Sequence, residues 1–408
     1  MRRDLGIDLI RGVGILMIAV DHLAGVVVRL ELPGTVNPFV SWTRLGWSSA
    51  AEFFVFFSGY LIGVVYLQTL RQRGLAMTYA RAMHRCWQIY AANVLTLCLV
   101  LLLLHDGMFA NQQLDRFVSL SALGDGDALT GLVRFLALQT APTFFEILQL
   151  YVIFLLAAPL VLLLARRSAA AAIAGSVALW LAVQVDPSFN LLRWNFNPYA
   201  WQLVFVLGMV VGMGGWFGKL RSMTSRWTSR RSLLIGTGTL LSIALLIKIG
   251  DKGGWHWPLL GPLHVAGIDK TSLGALRLVH FLVSVLFVVQ LLPSSERLQR
   301  WLPARAVATV GQFSLECFCF STVLVYACIG LLLNSVGVGP FVLSSAGVVV
   351  LLLVCGFAAA LRWLRGQPWR GDSSRDAMPS DAGARDARAS PPAGPGYLPS
   401  IATSRNLP

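Results

Sequence analysis

The sequence predicts an all-α, polytopic membrane protein with about ten transmembrane helices and both termini in the cytoplasm. Three observations predict it. The 408 residues are 56% hydrophobic and only 13% charged, against roughly 25% charge in soluble domains. Apolar runs of about 20 residues, the length that crosses a bilayer, recur with short connections. The basic residues alternate from loop to loop, as membrane orientation requires.

The expected spans are 7–28, 47–68, 86–105, 144–165, 169–185, 199–217, 232–249, 273–292, 309–333 and 340–362. The fourth and fifth are separated only by Arg166, Arg167 and Ser168, which predicts a tight helical hairpin. Segment 128–140 is apolar but too short to cross, so an interfacial or re-entrant element is expected there. Residues 1–28 begin like a signal peptide, but the run is too long and Asp21-His22 interrupts its end. Residues 1–363 therefore read as one ten-helix domain. Residues 364–408, rich in Ser, Asp, Arg, Ala, Pro and Gly, read as a disordered cytoplasmic tail. No internal repeat is evident, which argues against an inverted-repeat transporter.

With the N-terminus inside, the cytoplasmic segments carry Arg2 and Arg3; Arg71, Arg73, Arg81 and Arg85; Arg166 and Arg167; Lys219, Arg221, Arg226, Arg230 and Arg231; and Arg297, Arg300 and Arg305. The opposite side is poorer in base. Its stretch 106–143 has Asp106, Asp115, Asp125 and Asp127 against Arg116 and Arg134, and its loop 334–339 is uncharged. The net charge of +14 is thus distributed between apolar runs and does not form the single basic surface that nucleic acid needs. The six cysteines lie in or beside apolar runs without zinc-ligand spacing and read as buried small hydrophobes. No metal site is expected.

Ionisable groups at membrane depth are costly and mark function or a buried partner. The first span holds Asp8, Arg11, Asp21 and His22. Arg11 and His22 are eleven residues apart, so at 100° per residue they fall within about 20° of one face, about 16 Å apart along the axis. Asp8 is one turn from Arg11 and can pair with it. Gly12 and Gly14 would let another helix approach. His22 can pack at the interface or act on substrate. Arg11 can snorkel to headgroups or bind a substrate.

Glu52 in the second span needs a partner, for which Arg11 or His22 would serve; a structural ion pair and a catalytic role are both open. In the eighth span Lys270, Arg277 and His280 lie on one side, which suits an anionic ligand or headgroup contacts. Glu316 follows Gly311-Gln-Phe-Ser314 in the ninth. Asn195-Phe-Asn197-Pro198 precedes the sixth. His84 and His105 sit at span ends, and His256 lies between Trp255 and Trp257, a setting for sugar stacking or for an aromatic belt. Phosphate-loop, serine-elbow, zinc-protease and dinucleotide motifs are missing.

Taken in order, several motifs resemble the OpgC family. They are Asp8-Leu-Ile-Arg11-Gly with Asp21-His22, Ala51-Glu52-Phe-Phe-Val-Phe-Phe-Ser58-Gly59-Tyr60, Asn197-Pro-Tyr-Ala-Trp-Gln202 with Leu207-Gly208, Arg277-Leu-Val-His280-Phe, and Gly311-Gln-Phe-Ser314-Leu-Glu316-Cys-Phe. They run from residue 4 to about 330 and leave out the tail. OpgC proteins are multi-pass proteins of the bacterial inner membrane that succinylate osmoregulated periplasmic glucans. They are similar to membrane acyltransferase family 3, whose first helix carries a basic residue and a histidine at the spacing of Arg11 and His22. One departure stands out: Glu146-Ile-Leu-Gln149-Leu-Tyr151 replaces the usual Asp-Ile-Leu-Pro-Leu-Tyr, keeping the acid in kind and losing the proline, which bears on a kink near the outer entrance.

The resemblance implies an O-acyltransferase that moves an acyl group from an acyl-CoA donor, succinyl-CoA in the family, to glucan hydroxyls, with no bound cofactor. His22 would be general base, Asp21 or Glu52 its support, and Arg11 with Asp8 would face the donor. Lys270, Arg277, His280 and Glu316 would contact substrate. The implied partners are acyl-CoA, a periplasmic glucan and the bilayer; the oligomeric state is not legible. The rivals are a transporter or flippase for a glycan or anion, and a non-catalytic scaffold.

Overall fold

The computed structural model describes residues 4–30, 38–39, 41–105, 107–190, 194–223, 227–252, 261–293, 295–334 and 339–366. The Trp255-His256-Trp257 motif, Arg2, Arg3 and Asp106, and all but the first residues of the expected tail lie outside them. Contacts divide the chain between Trp363 and Leu364, and the first unit is described here.

Among the described residues every regular element is a helix. In order these are α1 (Leu5–Arg29), α2 (Trp42–Leu45), α3 (Ala50–His105), α4 (Gln112–Val118), α5 (Leu120–Leu123), α6 (Ala128–Leu136), α7 (Glu146–Arg167), α8 (Ala169–Val185), α9 (Pro198–Gly214), α10 (Trp216–Met223), α11 (Trp227–Lys252), α12 (Gly261–Ile268), α13 (Ala275–Leu291), α14 (Ser295–Arg300), α15 (Leu302–Gln312), α16 (Ser314–Asn334) and α17 (Pro340–Arg365). Six of them, α1, α3, α7, α11, α16 and α17, are long and apolar enough to cross a membrane. Helices α8, α9 and α13 are apolar and shorter, at 17 residues each.

Helix α3 holds two expected spans in one 56-residue element. The basic segment expected as a loop between them is helical except at Gly74, whose φ of 78° breaks the helix. Only glycine takes that backbone without strain. Arg81 then donates to Thr69 Oγ1 at 2.9 Å, tying the second limb back to the first. At the expected α7–α8 hairpin, Ser168 ends α7 and caps α8, accepting from Ala171 N at 3.1 Å. The ninth expected span, 309–333, is broken instead at Phe313, so the polar Gly311–Glu316 segment is a helix junction.

Small residues set the closest crossings. A Cβ on Gly12 would overlap the Val307 carbonyl of α15, and one on Gly311 would overlap the Asp8 carbonyl of α1. Gly14, expected to share this task, faces open space. On α3 and α9, Gly59 and Gly63 press on the carbonyls of Phe205 and Met209, while Gly208 and Gly212 press on those of Phe56 and Tyr60. Two small-xxx-small stripes therefore interlock, the arrangement that lets helix backbones touch in lipid.

The main core centres on the first limb of α3, packed by α7, α9, α13 and α16. A second cluster joins Leu23 and Val27 of α1, the end of α3, Phe135, Phe145 and Tyr326. Of the cysteines, Cys86 and Cys317 are buried as expected, whereas Cys98 is exposed.

Candidate functional site

Two polar centres sit inside the bundle, joined by the segment 41–49. The first lies between α1 and α16. Arg11 Nη2 donates to Ser314 Oγ at 2.5 Å. His22 stacks on Phe144, with ring centroids 3.7 Å apart and planes 16° apart, and meets the edge of Phe318 at 6.4 Å. Arg11 and His22 therefore both face α16, as their eleven-residue spacing requires. Asp8 is buried one turn before Arg11, and Glu316 is half-buried in the first turn of α16.

The second centre lies between α3 and α13. Glu52 is 0% exposed and Arg277 is 7% exposed. Arg277 Nε donates to Glu52 Oε1. Glu52 Oε2 accepts from Ser49 N at 2.9 Å and from Ser49 Oγ, and Arg277 Nη2 reaches Ser49 Oγ at 3.3 Å. The Ser49 amide bond to the carboxylate three residues on is half of a capping box, with Glu52 in the first turn of α3. The helix thus begins at Ala50, not at Trp47, and Ser48 and Ser49 are left free to bond sideways.

His280, one turn after Arg277, uses Nδ1 toward Ser48, with the Oγ at 2.8 Å and the amide N at 3.3 Å. Because the amide can only donate, Nδ1 accepts, which places the proton of a neutral imidazole on Nε2. That edge abuts Gly46, where a Cβ would overlap Nε2.

The connecting segment draws on four helices. Thr43 Oγ1 donates to Asp21 Oδ2 of α1 at 2.8 Å. Lys248 of α11 donates to the carbonyls of Thr43 and Gly46. Trp42 Nε1 reaches Ser48 Oγ at 3.3 Å. The neighbour of His22 is thereby linked through 41–49 to the Glu52–Arg277 pair.

These contacts correct several expectations. The partner of Glu52 is Arg277, not Arg11 or His22, because Glu52 sits at the start of α3 beside α13. Arg277 is neutralised and does not form an open basic cluster with Lys270. Lys270 is exposed before α13, its ammonium 4.4 Å from the Phe196 ring centre. Gln149, where the family pattern has proline, is fully buried and donates to Thr140 O at 2.9 Å, a tie that proline cannot make. Thr43, Ser48, Ser49, Lys248 and Phe144 were not singled out from sequence. Ser49-Ala-Ala-Glu52 carried a capping-box signature, and Lys248 stood at the end of an apolar run. The other three carried no local signal.

The family model described as OpgC protein matches residues 3–366, nearly the whole chain. The chain belongs to the OpgC family. The match covers both polar centres and ends where α17 ends. No curated protein and no solved structure matches the chain.

Proposed function

We propose that this OpgC-family protein is an inner-membrane O-acyltransferase. It crosses the bilayer about ten times with both ends inside, and it moves an acyl group, succinyl by family likeness, from acyl-CoA to hydroxyls of a periplasmic glucan. The observation that carries this reading is that Arg11 and His22 face α16 from one side of α1, about three helical turns apart. His22 takes the proton of a sugar hydroxyl as that oxygen attacks the thioester carbonyl. Arg11, nearer the cytoplasmic end in this orientation, meets the phosphates or pantetheine of the donor. Asp21 holds segment 41–49 through Thr43. Glu52, Arg277 and His280 support the site from behind that segment. The charge alternation of the loops supports the orientation.

Mass spectrometry of periplasmic glucans from a deletion strain tests the reading. Complementation with the wild type restores the acyl mass increment, and complementation with His22→Ala does not. Equal masses in all three strains would sink it. Uptake by proteoliposomes without any acyl transfer in detergent would favour a transporter instead.

A further inference from the structure

Phe144 has a φ of 77°, a left-handed backbone that a bulky aromatic rarely adopts. Such strain persists only where the surroundings over-determine it. Here both neighbours are anchored. Thr143 N donates to Phe117 O at 3.0 Å, and Thr143 O accepts from Tyr326 Oη at 2.9 Å. Phe145 is 1% exposed in the second cluster, and its amide donates to Pro142 O at 3.1 Å. With Thr143 and Phe145 fixed, the positive φ turns the Phe144 ring onto the imidazole of His22. Phe318 meets the same imidazole edge-on, so two aromatic rings define its plane.

We propose that Phe144 is a positioning residue for acyl transfer: its ring clamps the plane of His22 and shields that face from water, so that the acyl group passes to a sugar hydroxyl. The proposal rests on His22 being the general base. Transfer and hydrolysis compete for one thioester. In both, the carbonyl carbon gains a C–O bond and loses its C–S bond. The proton of the attacking oxygen goes to His22 and then to the departing thiolate. The products are a glucan ester with CoA thiol, or the free acid with CoA thiol. A shielded, fixed imidazole serves the bound sugar and not the solvent.

The test uses the full chain in detergent with succinyl-CoA and glucan extracted from the periplasm, comparing thiol release with ester formed. In the wild type the two match. In Phe144→Ala thiol release exceeds ester formation, with the ratio rising on the order of tenfold. Phe144→Gly gives the same change and melts higher than Phe144→Ala, because glycine takes a positive φ without strain. Phe144→Tyr keeps the ring and holds the ratio near that of the wild type. An unchanged ratio in the Ala and Gly variants, with His22→Ala inactive, overturns the clamp and leaves the His22 reading standing. Full activity in His22→Ala overturns both. Loss of thiol release in the Ala, Gly and Tyr variants also overturns the clamp, since its removal must leave the donor reactive toward water.

Discussion

Arg277 of α13 donates through Nε to Oε1 of Glu52 on α3, an ion pair sealed inside the bundle between residues 225 positions apart. Each charge is held only by the other and by Ser49 among the contacts described. Removing one partner of a buried pair leaves the other uncompensated, at a cost of about 3–5 kcal/mol. Glu52→Leu and Arg277→Leu should each lower the detergent melting temperature sharply. The double variant with leucine at both positions should recover much of the loss, because no charge is then stranded. Strictly additive effects in that cycle would show that the two groups are not coupled.

The packing of His280 against Gly46 gives a second test. A methyl group at position 46 would overlap Nε2 of His280. Gly46→Ala must therefore displace the imidazole or the 41–49 segment, an overpacking cost of about 1–3 kcal/mol. His280→Ala removes the obstacle but also the acceptor for Ser48. The double variant should then be no less stable than His280→Ala alone. If Gly46→Ala still costs stability in the His280→Ala background, the overlap is not its cause.

How far the sequence carried the site follows from range. The shared face of Arg11 and His22 follows from helical periodicity, and because α1 forms over the expected run, both residues meet α16. The hairpin at Ser168 was local and was also legible. The partner of Glu52 was not, since Arg277 is distant in the chain and no periodicity couples α3 to α13. The expected start of α3 lies three residues before the observed one, because Trp47 reads as the opening of the apolar run ahead of the capping box at Ser49. The break at Phe313 falls inside the expected ninth span, although Gln312, Ser314 and Glu316 around it are polar. The φ of Phe144 has no sequence signature at all, because it is imposed by anchors on either side.

Lys248 should control the order of segment 41–49. Its ammonium donates to two carbonyls of that segment from α11. Lys248→Met keeps the length of the side chain but removes both bonds. Amide hydrogen exchange across 41–49 should accelerate, while the α3–α9 seam stays protected, as local opening predicts. Unchanged exchange in 41–49 would mean that Asp21, Ser48 and Ser49 suffice to hold it. Acyl transfer should fall with the loss of order, since Asp21 and His22 are neighbours on α1 and Thr43 bonds Asp21.

The interlocked glycines of α3 and α9 make the last prediction, and it separates space from propensity. At Gly59 and Gly208 an added methyl meets backbone carbonyls, which cannot swing aside as a flexible side chain would. Gly59→Ala and Gly208→Ala should each destabilise the protein by about 1–3 kcal/mol, and a leucine at either site should prevent stable insertion. Gly14 and Gly175 lie within helices with nothing near their missing Cβ. There the same change should be neutral or stabilising by up to about 1 kcal/mol, because alanine restricts the unfolded chain and favours the helix. Melting curves of the four single variants decide the matter. Equal losses at all four positions would mean that glycine is needed for helix flexibility rather than for close approach. A loss confined to Gly59 and Gly208 would assign the seam its role: it seats α9 against the limb of α3 whose first turn carries Glu52.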